Sequence, residues 1–211
     1  MTAPTPARAT EYRFAIIPSV SAEQPSDIRS LIDDVVDASC GAMWIEHAGE
    51  HSAVIVTERP ESGTLDALLD ATKDRGLAVY DMALRRLYDP QDSVAVTVQL
   101  GDCVTVPYLT RDLLIDLVER PVFPSPAEPF VIVSRTDADY IQMYRHPDGD
   151  YQLEYRDGGP ESHFVVHSTD ARLVADVIWA WVSGDARWQR MVEWMFLDTD
   201  AADAALWPAM P

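Results

Sequence analysis

A chain of 211 residues that is 47% hydrophobic carries enough apolar side chain for one large or two small cores, which excludes a disordered protein. Its 35 acidic residues stand against 16 basic ones, and the formal net charge is −19 at pH 7. A surface of that sign repels polyanions, so nucleic acid and anionic membranes are excluded as partners and a basic protein partner, or simple solubility, is favoured.

Among the basic residues only Lys73 is a lysine, a composition of GC-rich bacterial genomes. Residues 1–11 are read as a disordered tail, rich in Pro, Thr and Ala and without the apolar run of a signal peptide. No apolar stretch approaches the roughly 20 residues that span a bilayer, so the expected location is cytoplasmic. Cys40 and Cys103 lie far apart with no Cys-x-x-Cys spacing, which reads as two buried free thiols.

In chain order, Tyr12 to Pro18 reads as a strand. Ser26 is placed to cap a helix whose Ile28, Leu31, Ile32, Val35 and Val36 share one face, with Asp33, Asp34 and Asp37 facing away and Gly41 as its stop. Strands are expected at 42–47 and 52–57, then a helix from Thr64 with Leu65, Leu68 and Leu69 inward, then a strand at 77–80. The order β-α-β-β-α-β over residues 12–90 is that of a ferredoxin-like unit. Asp89-Pro90-Gln91-Asp92 then marks a boundary, where turn formers and charge coincide.

Residues 91–205 are read as a second α+β domain. Strands at 94–98 and 103–107 precede a helix capped by Thr110 and carrying Leu113, Leu114, Leu117 and Val118. From Pro121 to Pro129 there are four prolines in nine residues, an extended connection. A strand at 130–133 leads into an antiparallel β-meander of Tyr140–Arg145, Tyr151–Arg156 and His163–His167, with Asp-Gly turns at Asp148-Gly149 and Asp157-Gly158. Tyr151, Leu153 and Tyr155 share one face, and Gln152, Glu154 and Arg156 the other. Two C-terminal helices are expected to cover the sheet. The first, capped by Ser168 or Thr169, has Leu173, Val174, Val177, Ile178, Trp181 and Val182 on its stripe; the second carries Trp188, Met191, Val192 and Met195.

No catalytic motif emerges. His47-Ala-Gly-Glu-His51 matches H-x-x-E-H, a zinc pattern that works only on a helix, and here it straddles a turn. His163 and His167 are spaced four apart on a strand, which separates their Cα atoms by about 13 Å at roughly 3.3 Å per residue. No metal and no cofactor are therefore expected. The acidic helix residues Asp33, Asp34 and Asp37 lack a phosphate loop or a basic companion and read as a solvated face. Of Trp179, Trp181, Trp188 and Trp194, only Trp179 leaves its helix stripe, where a partner could reach it.

The segment from Tyr140-Ile-Gln-Met-Tyr through Tyr151-Gln-Leu-Glu-Tyr-Arg-Asp-Gly-Gly-Pro160 to Trp188 and Trp194 resembles the C-terminal module of immunity-type proteins that accompany bacterial polymorphic toxins. Asp70 to Asp81, ending Gly-Leu-Ala-Val-Tyr-Asp, is similar to another small α+β module of such genomes, with Met82-Ala83 standing where that module has Pro-Gln. The resemblance implies a non-catalytic protein that occludes a partner, and it assigns no active-site residue. The expected contact residues are Glu154 and Arg156 on the open meander face, Asp148, Asp150 and Asp157 in its turns, and Trp179. Two other readings stay open: a small enzyme or ligand-binding regulator with a site between the domains, and a structural oligomer subunit, the oligomeric state being unassigned.

Overall fold

A computed structural model describes residues 11–19, 28–38, 43–58, 63–101, 104–121 and 130–197. The tail, Ser26, Gly41, both cysteines and most of the proline-rich connection lie outside the described residues. The chain divides into two compact units, Met1–Gln91 and Asp92–Pro211. Each is α+β with an antiparallel sheet, and among the described residues each holds two α-helices. No helix among the described residues is long and apolar enough to cross a membrane.

The first unit runs β1 (Tyr12–Pro18), α1 (Ile28–Ala38), β2 (Met43–Ala48), β3 (Ala53–Thr57), α2 (Thr64–Thr72), β4 (Leu77–Asp81) and β5 (Arg86–Tyr88). The sheet order is β2-β3-β1-β4-β5, each neighbour antiparallel. Alternation along β1 buries Phe14 and Ile16, and register puts Ile55 and Val79 directly across from them on the same face. Ile28, Leu31, Ile32 and Val35 of α1 are buried with them, as are Leu65, Leu68 and Leu69 of α2, the stripe that 3.6-residue periodicity requires. β5 was not expected. It is three residues long and pairs with the end of β4 through a tight turn in which Arg85 takes φ 55.

The second unit runs β6 (Thr97–Leu100), β7 (Val104–Val106), α3 (Arg111–Glu119), β8 (Phe130–Thr136), β9 (Asp139–Arg145), β10 (Tyr151–Asp157), β11 (His163–Ser168), α4 (Ala171–Val182) and β12 (Met195–Phe196). They form one seven-stranded sheet, ordered β12-β11-β10-β9-β8-β6-β7 and antiparallel throughout. β6 begins three residues later than expected, because Val94 instead bridges Leu109. Thr110 caps α3 by accepting the Leu113 N–H. Asp170, two residues after Ser168, caps α4 by accepting the N–H groups of Arg172 and Leu173.

α3 and α4 lie on one face of this sheet. There Tyr151 donates its hydroxyl to the Val118 carbonyl at 3.1 Å, and the Arg135 guanidinium stacks 4.1 Å from the Trp181 ring centroid. Val133, Ile141, Met143 and Leu153 alternate inward beneath Val177, Ile178 and Trp181. Arg111 and Asp176 tie the two helices together at 2.6 Å.

The expected second C-terminal helix does not form. Residues Ala186–Arg190 make a 3-10 turn capped by Asp185, with no buried side chain, and Met195–Phe196 then join the sheet beside β11. The reason lies in the aromatic side chains. Trp188 and Trp194 each pack edge-on to the Tyr155 ring, with centroids 4.7 Å away. Six residues apart on a helix they would diverge by about 120°, so a helix could not bring both onto one ring.

Candidate functional site

The opposite face of the seven-stranded sheet carries no described helix of its unit. Cross-strand register fixes its composition: Ile132 opposite Gln142, Phe130 opposite Tyr144, and Ser134 opposite Tyr140. Gln152 then lies opposite Tyr144 and His167, Glu154 opposite Gln142 and Val165, and Arg156 opposite Tyr140 and His163. Aromatic and polar side chains thus alternate across the strands, most of them half-buried.

Glu154, expected to be exposed, is buried with only 7% of its surface accessible, as is His163. Period-two alternation assigns Glu154 to the open face correctly, but its neighbours close over it. Its Oε2 accepts from Gln142 Nε2 at 2.8 Å and meets His163 Nε2 at 2.9 Å, while Oε1 accepts from Gln152 Nε2. A carboxylate only accepts, so His163 Nε2 is the donor. A buried carboxyl needs such partners, and here three strands supply them. Gln152, its amide nitrogen committed to Glu154, turns Oε1 toward His146 Nε2 at 3.3 Å. Glu154 therefore organises the face from beneath.

At one corner of this face the β9–β10 turn, His146-Pro-Asp-Gly-Asp150, meets the end of β11. The turn is closed by Asp150 and His146: the His146 N–H donates to the Asp150 carbonyl at 2.8 Å and the Gly149 N–H to the His146 carbonyl at 2.9 Å. Gly149 takes φ 94, a conformation side-chain-bearing residues rarely adopt. His167 arrives because β11 pairs with the start of β10, and its Nδ1 lies 2.7 Å from Asp150 Oδ2. The His146 and His167 rings stack with centroids 6.2 Å apart. One ligand atom from each of His146, Asp150 and His167 falls within 4.8 Å of the others.

The remaining expected contact residues are scattered around this framework. Asp148 is exposed in the turn and accepts the Asp150 N–H at 3.1 Å. Asp157 is exposed at the far end of β10, and Arg156 is half-buried with its Nε donating to the Gly158 carbonyl at 2.9 Å. Trp179 is half-buried, off the buried stripe of α4, away from the open face. His47 and His51 flank a hairpin in which the Gly49 N–H donates to the Ser52 carbonyl at 2.8 Å, so no helix aligns them. His146 had no marker of its own in the sequence. The usable signal was its place four residues before Asp150 around a Gly turn, with a histidine, His167, two residues from where β11 meets that turn.

The first unit buries charge too. Asp81 and Arg86 are opposite one another in register and both buried, on the same face as Val79 and Phe14. Asp81 Oδ1 accepts the N–H groups of Ala83 and Leu84 at 2.9 and 2.8 Å. Burial pushes the Asp81 carboxyl above its ordinary value, opposed by those two bonds and the Arg86 charge. Asp81 therefore anchors the β4–β5 turn. Between α1 and β2 a depression is lined by Arg29, Ile32, Asp33, Ile45 and Ala48, which brings no nucleophile or acid-base pair together.

Comparison with protein-family models, with curated proteins and with solved structures returns no match for this chain.

Proposed function

We propose that the chain is a cytoplasmic, non-catalytic protein-binding protein of immunity type, which occludes a basic protein partner such as a toxin with the open face of its second unit. The observation that carries this reading is that face itself. It sets half-buried Phe130, Tyr140 and Tyr144 among fixed polar groups, the mixture that protein-binding surfaces favour. Exposed Asp148 and Asp157 and the partly exposed Asp150 flank it, in a chain of net charge −19. Such a field speeds encounter with a cation by roughly 10- to 1000-fold and acts on the on-rate. Glu154 contributes by holding Gln142 and Gln152 in place, and Arg156 offers a half-buried cation for a partner carboxylate.

The same reading takes the first unit as ferredoxin-like. Its strand order, read as β4-β1-β3-β2 with an added β5 edge, and its two helices after β1 and β3, support that assignment. The test is purification of the protein with its bound material from the native host, followed by identification of what copurifies. A stoichiometric basic protein is expected, encoded beside this gene. Nucleic acid, an acidic protein, or a small molecule as the sole ligand would defeat the reading.

A further inference from the structure

We infer that His146, Asp150 and His167 form a binding site for one divalent transition-metal ion of the zinc class. The three side chains come from the two ends of the β9–β10 turn and the end of β11, and their ligand atoms already lie within 4.8 Å of one another. A tetrahedral ion with bonds of about 2.0–2.1 Å sets its ligands roughly 3.3 Å apart, so closure draws the side chains together by up to about 1.5 Å. The turn is locked by its two internal hydrogen bonds and Gly149, and strand pairing holds His167 beside it. Donors on a rigid frame hold their geometry.

The donor set selects the ion. Two imidazole nitrogens and one carboxylate oxygen suit zinc, nickel, copper or ferrous iron, and disfavour magnesium and calcium, which take oxygen. The short His167 Nδ1 contact to Asp150 is an ordinary hydrogen bond without a metal, and the ion would take the place of that proton. Gln152, fixed by Glu154, holds the His146 ring from the side, the outer-layer support that metal-binding histidines carry. The side chains of His167 and Asp150 are 48% and 27% exposed, which gives an ion entry from solvent and leaves coordination positions for water. The site stands whether or not the sheet face binds a protein.

The test uses the full chain, prepared without a polyhistidine tag and stripped with chelator, titrated with Zn(II) by calorimetry. One ion per chain is expected. His146→Ala and His167→Ala should each weaken binding by about ten-fold or more, and Gln152→Ala by about ten-fold. The His47→Ala/His51→Ala double variant should bind like the parent. Should a variant misfold, imidazole ¹⁵N spectra of the parent protein decide: Zn(II) should move the His146 and His167 signals and leave His47 and His51 in place. Failure to bind Zn(II), or binding that shifts only other histidines or survives both single variants, overturns the site.

Discussion

The two faces of the seven-stranded sheet are built from the same strands and differ in what supports them. The helix-covered face is apolar and closed by α3 and α4, with Trp181 of α4 only 2% exposed. The other face is held by side-chain hydrogen bonds running His146–Gln152–Glu154–His163, with Gln142 joining at Glu154. Apolar burial is non-directional and gives stability; a hydrogen-bonded net of polar groups fixes where each side chain points. The covered face therefore supplies most of the stability, and the proposed function assigns recognition to the other.

Truncating the covered face should cost most. Trp181→Ala removes a buried aromatic and the platform for Arg135, and should lower stability by about 3–5 kcal/mol in denaturant titration. Trp179→Ala, half-buried and off the stripe, should cost far less; equal losses would mean that the two residues share one environment. On the open face, Glu154→Ala leaves Gln142, Gln152 and His163 without their acceptor and should cost about 1–3 kcal/mol, read in the same titration. A neutral outcome would show that the net contributes nothing to folding. At the junction between the faces, Asp170→Ala removes the α4 cap and should cost about 1 kcal/mol.

The smallest effect is on pH. Burial, with the Asp157 charge adding to it, raises the Tyr155 phenol above its ordinary value. The folded state thus keeps its proton where the unfolded chain loses it. Tyr155 contributes its full stability below about pH 10 and loses it as pH rises from there through the folded value. Alkaline unfolding monitored by fluorescence should show this loss, and Tyr155→Phe should flatten it.

Much of the covered face was legible in the sequence. The period-two burial of Tyr151 and Leu153 and most of the α4 stripe follow local spacing, with Tyr155 and Leu173 only half-buried, and Gly149 and Gly158 take φ 94 and 83 as Asp-Gly turns require. The open face was legible only in membership. Alternation assigned Glu154 to it, but burial of that carboxyl depends on Gln142 and His163, which only cross-strand register brings near. The convergence of His146 with His167 rests on the same register, invisible to spacing along one strand. The helical reading of residues 188–195 failed because an apolar seam at helical spacing also fits two tryptophans clasping a single tyrosine ring. β5 escaped notice because three residues carry too little periodicity to read.

The claim that recognition belongs to the open face is tested most directly by association and dissociation kinetics with the copurified partner, measured by surface plasmon resonance across salt concentrations. The Asp148→Lys/Asp157→Lys variant should slow association at low salt and converge on the parent as salt rises past a Debye length of about 8 Å. Tyr140→Ala/Tyr144→Ala should instead speed dissociation by about ten-fold or more, while Trp44→Ala on the edge of the first unit leaves both rates unchanged. Open-face variants that bind like the parent, together with loss of binding in Trp44→Ala, would contradict it.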